Sequence, residues 1–100
     1  MMITVIAKLK VKPGSEAAFR EAADKMIAHV KANEAGTVTY LLHRANADPT
    51  EFVFYEVYAD QNAMAAHSSS EPMQQFFGAM GGLLAGRPEI GMFEELGGKR

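Results

Sequence analysis

The chain has 100 residues, the span of one domain, and its 10 Lys and Arg against 12 Asp and Glu give a formal net charge of −2, which supplies no positive field for nucleic acid or an anionic membrane. It contains no Cys, which excludes disulfides, thiolate catalysis and Cys-ligated metal or iron–sulfur centres and fits a reducing, cytoplasmic setting. Trp is also absent, whereas Met occurs seven times and Phe six in a chain that is 48% hydrophobic; a domain of this size buries only about two-thirds of its unfolded surface, so a further partner surface is expected.

The opening stretch has no charged lead followed by a long apolar run, and no segment approaches the roughly 20 apolar residues that cross a bilayer, so a soluble protein without a targeting leader is expected. Ile3, Val5, Ala7, Leu9 and Val11 alternate with Thr4, Ile6, Lys8 and Lys10, the period-two pattern of a strand over 3–11. Pro13 and Gly14 stop it, and Ser15 is placed to cap a helix whose first turn carries Glu16. Phe19, Ala22, Ala23, Met26, Ile27 and Val30 share one face of that helix, opposite Arg20, Glu21, Asp24, Lys25 and Lys31. After Gly36 a second strand over 37–44 sets Val38, Tyr40 and Leu42 against Thr39, Leu41 and His43, and 46–49 is turn chemistry. A third strand over 51–58 is apolar on both faces, with Phe52, Phe54, Glu56 and Tyr58 on one and Val53, Tyr55 and Val57 on the other.

Asp60 then caps a short helix over 61–67, and Ser69 or Ser70 restarts a helix with Glu71 and Pro72 in its first turn. Its stripe is Met73, Phe76, Phe77, Met80, Leu83 and Leu84, and Gly78, Gly81 and Gly82 predict fraying or bending near Gly81. A last strand over 89–96 completes a single domain over 1–96, and a disordered tail is expected at 97–100.

Strand, helix, strand, strand, helix, strand is a split βαβ order. It predicts an α+β, ferredoxin-like fold: a four-stranded antiparallel sheet with the helices on one face. The other face, carrying Leu41, Val53, Tyr55 and Val57, forms an apolar patch larger than a monomer leaves in water, so a homodimer with facing sheets is predicted.

Glu56, Tyr58, Asp60, Ala63 and His67, with the turn at Val11, Lys12, Pro13 and Gly14 and the spacing of Gly36 and Tyr40, resemble the signature of the antibiotic biosynthesis monooxygenase family over about residues 2–95. The resemblance implies a dimeric ferredoxin-like α/β barrel. It also implies one of several activities: cofactor-free quinol or polyketide oxygenation, haem degradation, or isomerisation of a phosphorylated autoinducer sugar. The haem-degrading branch resembles a plan with Asn in the first strand and Trp ending the third, where this chain has Ala7 and Tyr58; haem degradation is disfavoured.

Read from the residues alone, Phe54, Glu56 and Tyr58 face the stripe of Met64, His67, Met73, Phe76, Phe77 and Met80, making an apolar cleft for a flat substrate. A cofactor-free oxygenase needs a base to turn a dihydroxyaromatic into its electron-rich anion. His67 is the candidate base, Glu56 its orienting carboxylate, and Tyr40 and Tyr58 hydrogen-bond substrate oxygens. Each has a structural reading too: His67 and Glu56 as a staple between helix and sheet, and the Met and Phe stripe as plain core. His43 is expected on the dimer face and His29 in solvent; neither has a partner at metal-ligand spacing, so no metal and no cofactor is expected. Two rivals remain, an isomerase of a small oxygenated metabolite anchored by a group such as Arg44, and a non-enzymatic dimeric binding or stress-response protein.

Overall fold

β1 (Ile3–Lys10) and β3 (Glu51–Tyr58) form the centre of the sheet, paired antiparallel with Ile6 opposite Tyr55. Central position pairs both strands along both edges, and the faces carrying Val5, Ala7 and Leu9 of β1 and Phe52, Phe54, Glu56 and Tyr58 of β3 are buried. β2 (Thr37–Arg44) flanks β3 and β4 (Glu89–Phe93) flanks β1, giving the order β2-β3-β1-β4, antiparallel throughout. α1 (Glu16–Asn33), α2 (Gln61–Ser68) and α3 (Glu71–Met80) complete the ferredoxin-like α+β fold. The computed structural model describes all 100 residues, and no helix is long and apolar enough to cross a membrane.

The core lies between the sheet and α1 and α3. Phe19, Ala23, Met26 and Val30 of α1 are buried against Ala7, Leu9, Phe52 and Phe54, with Met73, Phe76 and Met80 of α3 completing the cluster. Phe19 packs on Phe52 with ring centroids 4.5 Å apart. The chain leaving α3 turns at Gly81 and comes back beside the end of β1, where Lys12 N–H donates to Leu83 O at 2.8 Å and Ala85 N–H donates to Lys10 O at 2.8 Å. Val11 is thus not the last residue of β1 but an isolated bridge partner of Leu84, and Leu83 and Leu84 lie beyond the helix.

Four further local expectations are corrected. Ser15 makes no side-chain cap; Glu16 Oε1 instead accepts from Gly14 N–H at 2.6 Å, with Gly14 at φ 92°, a conformation open to glycine. Val38 does not share a face with Tyr40 and Leu42, because the β2–β3 register slips between Thr37 and Thr39, and the extra residue is left exposed. β4 ends at Phe93 rather than at residue 96. The open sheet face is not bare at its Val57 end: Thr4 and Val57 are buried, sharing a hollow with Met1, Met2, Glu94, Glu95 and Arg100.

The other turns follow their sequence chemistry. Asp60 Oδ1 accepts from Ala63 N–H at 2.8 Å and Ser70 Oγ from Met73 N–H at 3.2 Å, capping α2 and α3. Between β2 and β3, Asp48 Oδ1 accepts from both Thr50 N–H and Thr50 Oγ1, at 2.9 and 2.7 Å. Those two bonds and Lys10 at 3.1 Å hold the Asp48 carboxyl down at about 2.

Candidate active site

The same sheet face that carries Phe52 into the core carries Phe54, Glu56 and Tyr58 toward α2. Beside them Val5, Ala7 and Leu9 of β1, Tyr40 of β2, and Ile90 and Met92 of β4 form the floor of a cleft of about 310 Å³. Met64, His67 and Ser68 of α2 and Met73, Phe76 and Phe77 of α3 form its wall. The volume sits at the low end for a small-molecule site. Of the residues predicted to bind substrate, only Met80 is elsewhere: it is buried in the core at the far end of α3. Ala7 and Tyr58 both line the cleft, and Arg44 does not; it is exposed at the end of β2.

The polar groups gather at one end. His67 is 2% exposed, and its Nδ1 lies 2.7 Å from Glu34 Oε1, not against Glu56 as the sequence suggested. Glu34 follows the last turn of α1, where its backbone N–H caps the helix by donating to Val30 O. Its Oε1 also accepts from Thr37 Oγ1 at 2.7 Å, so three elements converge on one carboxylate. A carboxylate only accepts, so this bond sets the hydrogen on His67 Nδ1, and in the neutral ring Nε2 is then an acceptor. That Nε2 is buried without a partner. His29 is half-buried rather than solvated, with Nε2 3.3 Å from the second oxygen of Glu34.

Glu56 has a different partner: the Tyr58 hydroxyl donates to its Oε1. Burial pushes the Glu56 carboxyl up from its ordinary range, and the bond from Tyr58 and the nearby His67 oppose that rise without cancelling it. Burial first, then the charges of Glu56 and Glu34, pushes the Tyr40 phenol up; burial, then the charge and bond of Glu56, does the same to Tyr58. Both phenols therefore remain protonated donors at neutral pH. Tyr40 stacks on Phe54 at 5.0 Å and meets the His67 ring at 5.1 Å, and its hydroxyl is buried with no partner. Both rings line the cleft, and each keeps a buried polar atom without a partner, His67 Nε2 and the Tyr40 hydroxyl. No three His, Asp or Glu side chains converge in a metal-binding arrangement.

α2 can bring His67 to Glu34 because Gly36 lets it approach the start of β2. A Cβ on Gly36 would lie 2.6 Å from the Ala63 Cβ, and Gly36 O accepts from Ala59 N–H at 2.9 Å just before the helix. Glu34 was the residue missed from sequence. Its only signal is its place beside Gly36 in the loop after α1, and which side chain a loop carboxylate meets across 33 residues is not written in local pattern.

The profile of the antibiotic biosynthesis monooxygenase family matches residues 2–79. The chain belongs to that family. Among solved structures, a candidate antibiotic biosynthesis monooxygenase from Caulobacter crescentus shares 33% identity, with a TM-score of 0.91 over 96% of this chain and 91% of that one. A Pseudomonas aeruginosa protein shares 26% identity with a TM-score of 0.87, covering 96% of this chain and 95% of its own. A candidate member from Nitrosomonas europaea, at 24% identity and a TM-score of 0.87 over 95% and 90% of the two chains, adds likeness of fold alone. No functionally curated protein matches significantly.

Proposed function

We propose that this member of the antibiotic biosynthesis monooxygenase family is a cofactor-independent oxygenase that oxidises a quinol or similar dihydroxyaromatic with dioxygen. The observation that carries the reading is the buried, unpartnered Nε2 of His67, on a ring that lines an apolar cleft and is bonded through Nδ1 to Glu34 at 2.7 Å. A substrate hydroxyl gives its proton to Nε2, while the Tyr40 hydroxyl donates to the oxygen on which negative charge develops. The resulting anion passes an electron to dioxygen and the two radicals join at a ring carbon. O–O cleavage leaves one oxygen on the ring and releases the other as water, so quinol plus dioxygen becomes hydroxyquinone plus water. Glu56 and Tyr58 act as a bonded pair that shapes the polar end of the cleft.

The rivals find less support. An isomerase of a phosphorylated or otherwise anionic metabolite needs a cationic anchor, and the cleft is lined by neither Lys nor Arg. A purely structural role accounts for the Nδ1 bond to Glu34 and leaves the unpartnered Nε2 of His67 unexplained. We further read the open sheet face as the seat of a second copy of the chain: Leu41 and Ile6 flank Tyr55 in one cross-strand row, and Leu41 is 51% exposed.

Oxygen uptake with a panel of naphthohydroquinones and benzohydroquinones tests the oxygenase reading. The expected result is uptake that falls by about 10²- to 10⁴-fold in His67→Ala, the usual span for losing a general base. Uptake by the native protein no faster than by His67→Ala with every quinol would overturn it.

A further inference from the structure

Three buried features of the cleft bear on the charge of its ligand as well as on its shape. The first is the absence of any Lys or Arg among its lining residues. A charged ligand would leave water and meet no fixed cation, a cost that an aromatic alcohol escapes. The second is that the polar end already holds two carboxyl groups, Glu56 on the floor and Glu34 directly behind His67. Protonated, His67 would supply a positive charge, but Glu34 at 2.7 Å already balances it, so no net positive charge remains for an incoming anion. The third is that two rings lining the cleft each keep a buried polar atom without a partner, His67 Nε2, an acceptor in the neutral ring, and the donor Tyr40 hydroxyl. One neutral hydroxyl satisfies both, donating to the nitrogen and accepting from the phenol; a carboxylate or phosphate only accepts, and leaves Nε2 empty.

Resting on the reading of this cleft as a dihydroxyaromatic site, we propose that it selects its ligand by charge: it takes an uncharged aromatic alcohol, held through one hydroxyl between His67 and Tyr40, and turns away carboxylated and phosphorylated aromatics of the same shape. The rise that burial forces on the Glu56 carboxyl is an internal measure of how poorly this end of the cleft accommodates negative charge. Glu34 is the specificity residue, acting through His67 without touching the ligand.

Anaerobic titration calorimetry on the intact protein reads this selection without turnover, so failure of oxygenation and failure of charge selection are distinguishable. The probes are 2-naphthol, 2-naphthoate and 2-naphthamide, the last keeping the form of the naphthoate without its charge. The native protein is expected to bind naphthol at least about tenfold more tightly than naphthoate, about 1.4 kcal/mol, with naphthamide near naphthol. In Glu34→Gln the gap between naphthamide and naphthoate is expected to shrink several-fold. Naphthoate binding as tightly as naphthol, naphthamide binding as weakly as naphthoate, or no binding of naphthol would each overturn the proposal. A gap unchanged in a folded Glu34→Gln would overturn the role of Glu34; if that variant does not fold, the three probes on the native protein decide.

Discussion

At the scale of single residues, the site divides into two carboxyl pairs with different work. Glu34 with His67 leaves a ring nitrogen open, whereas Glu56 with Tyr58 closes on itself. The second pair is therefore where a stability effect should appear. The Glu56 carboxyl is raised by burial, so its charged form is disfavoured in the folded protein, and its contribution to stability falls as pH rises from the unfolded value through the folded one. The Tyr58 hydroxyl is what makes the charged form tolerable. Tyr58→Phe should thus cost about 1–3 kcal/mol in urea unfolding, the range for orphaning a buried acceptor. The loss should be larger near about pH 8 than near about pH 5, because the bond that is removed favours the charged form of the carboxyl. A loss equal at both pH values would mean that Tyr58 contributes packing alone. Of these four residues the sequence pointed to three, because a His, a Glu and a Tyr on apolar faces are conspicuous; Glu34 stands among the polar residues at the end of α1 and is not.

At the scale of elements, the decisive contact is between α2 and the start of β2. α2 is only eight residues long, so its position depends on what it leans against. Gly36 supplies that seat by lacking a side chain where the Ala63 methyl sits. Gly36→Ala is expected to destabilise the fold by about 1–3 kcal/mol, as overpacking does, and to push α2 away so that His67 loses Glu34. The proposed quinol oxidation should then fall by more than the unfolded fraction explains, which activity measured beside circular dichroism at the same temperature would reveal. Activity falling only in proportion to folded protein would separate the seat of the helix from the chemistry. The hydrophobic pattern disclosed both α2 and β2 but not this contact, because period describes which face is buried and says nothing about how near two backbones come. The β2 bulge was hidden for a related reason: alternation assumes an unbroken register, and a single slip reverses the face of Val38.

At the scale of the whole molecule, the sheet has one face under the helices and one largely open to water. Beyond the Lys10 and Glu51 pair, three rows cross the open face from β1 through β3 to β2. At one end Lys8 and His43 flank Val53; in the middle Ile6 and Leu41 flank Tyr55; at the other end Thr4 and Thr39 flank Val57. Only that last row is sheltered by the chain's own ends. The middle row is the natural centre of a two-fold contact, because an isologous interface sets a patch against itself. Sedimentation at micromolar concentration should give twice the mass of the chain, and Tyr55→Asp, which puts a charge against its own copy, should give a folded monomer. A native protein that sediments as a monomer would sink the face-to-face dimer.

What the sequence determined by itself was the architecture and the inventory. Period-two and helical patterns, a Pro-Gly turn and two capping residues were enough to order the elements, since burying one face of each leaves few ways to pack them, and the absence of Cys removed whole classes of chemistry. What only the tertiary structure decided was pairing: that His67 belongs to Glu34 and Glu56 to Tyr58, that Met80 is core, and that Arg44 stays outside the cleft. Pairing depends on angles and distances between elements far apart in the chain, where a shift of an ångström exchanges one hydrogen-bond partner for another.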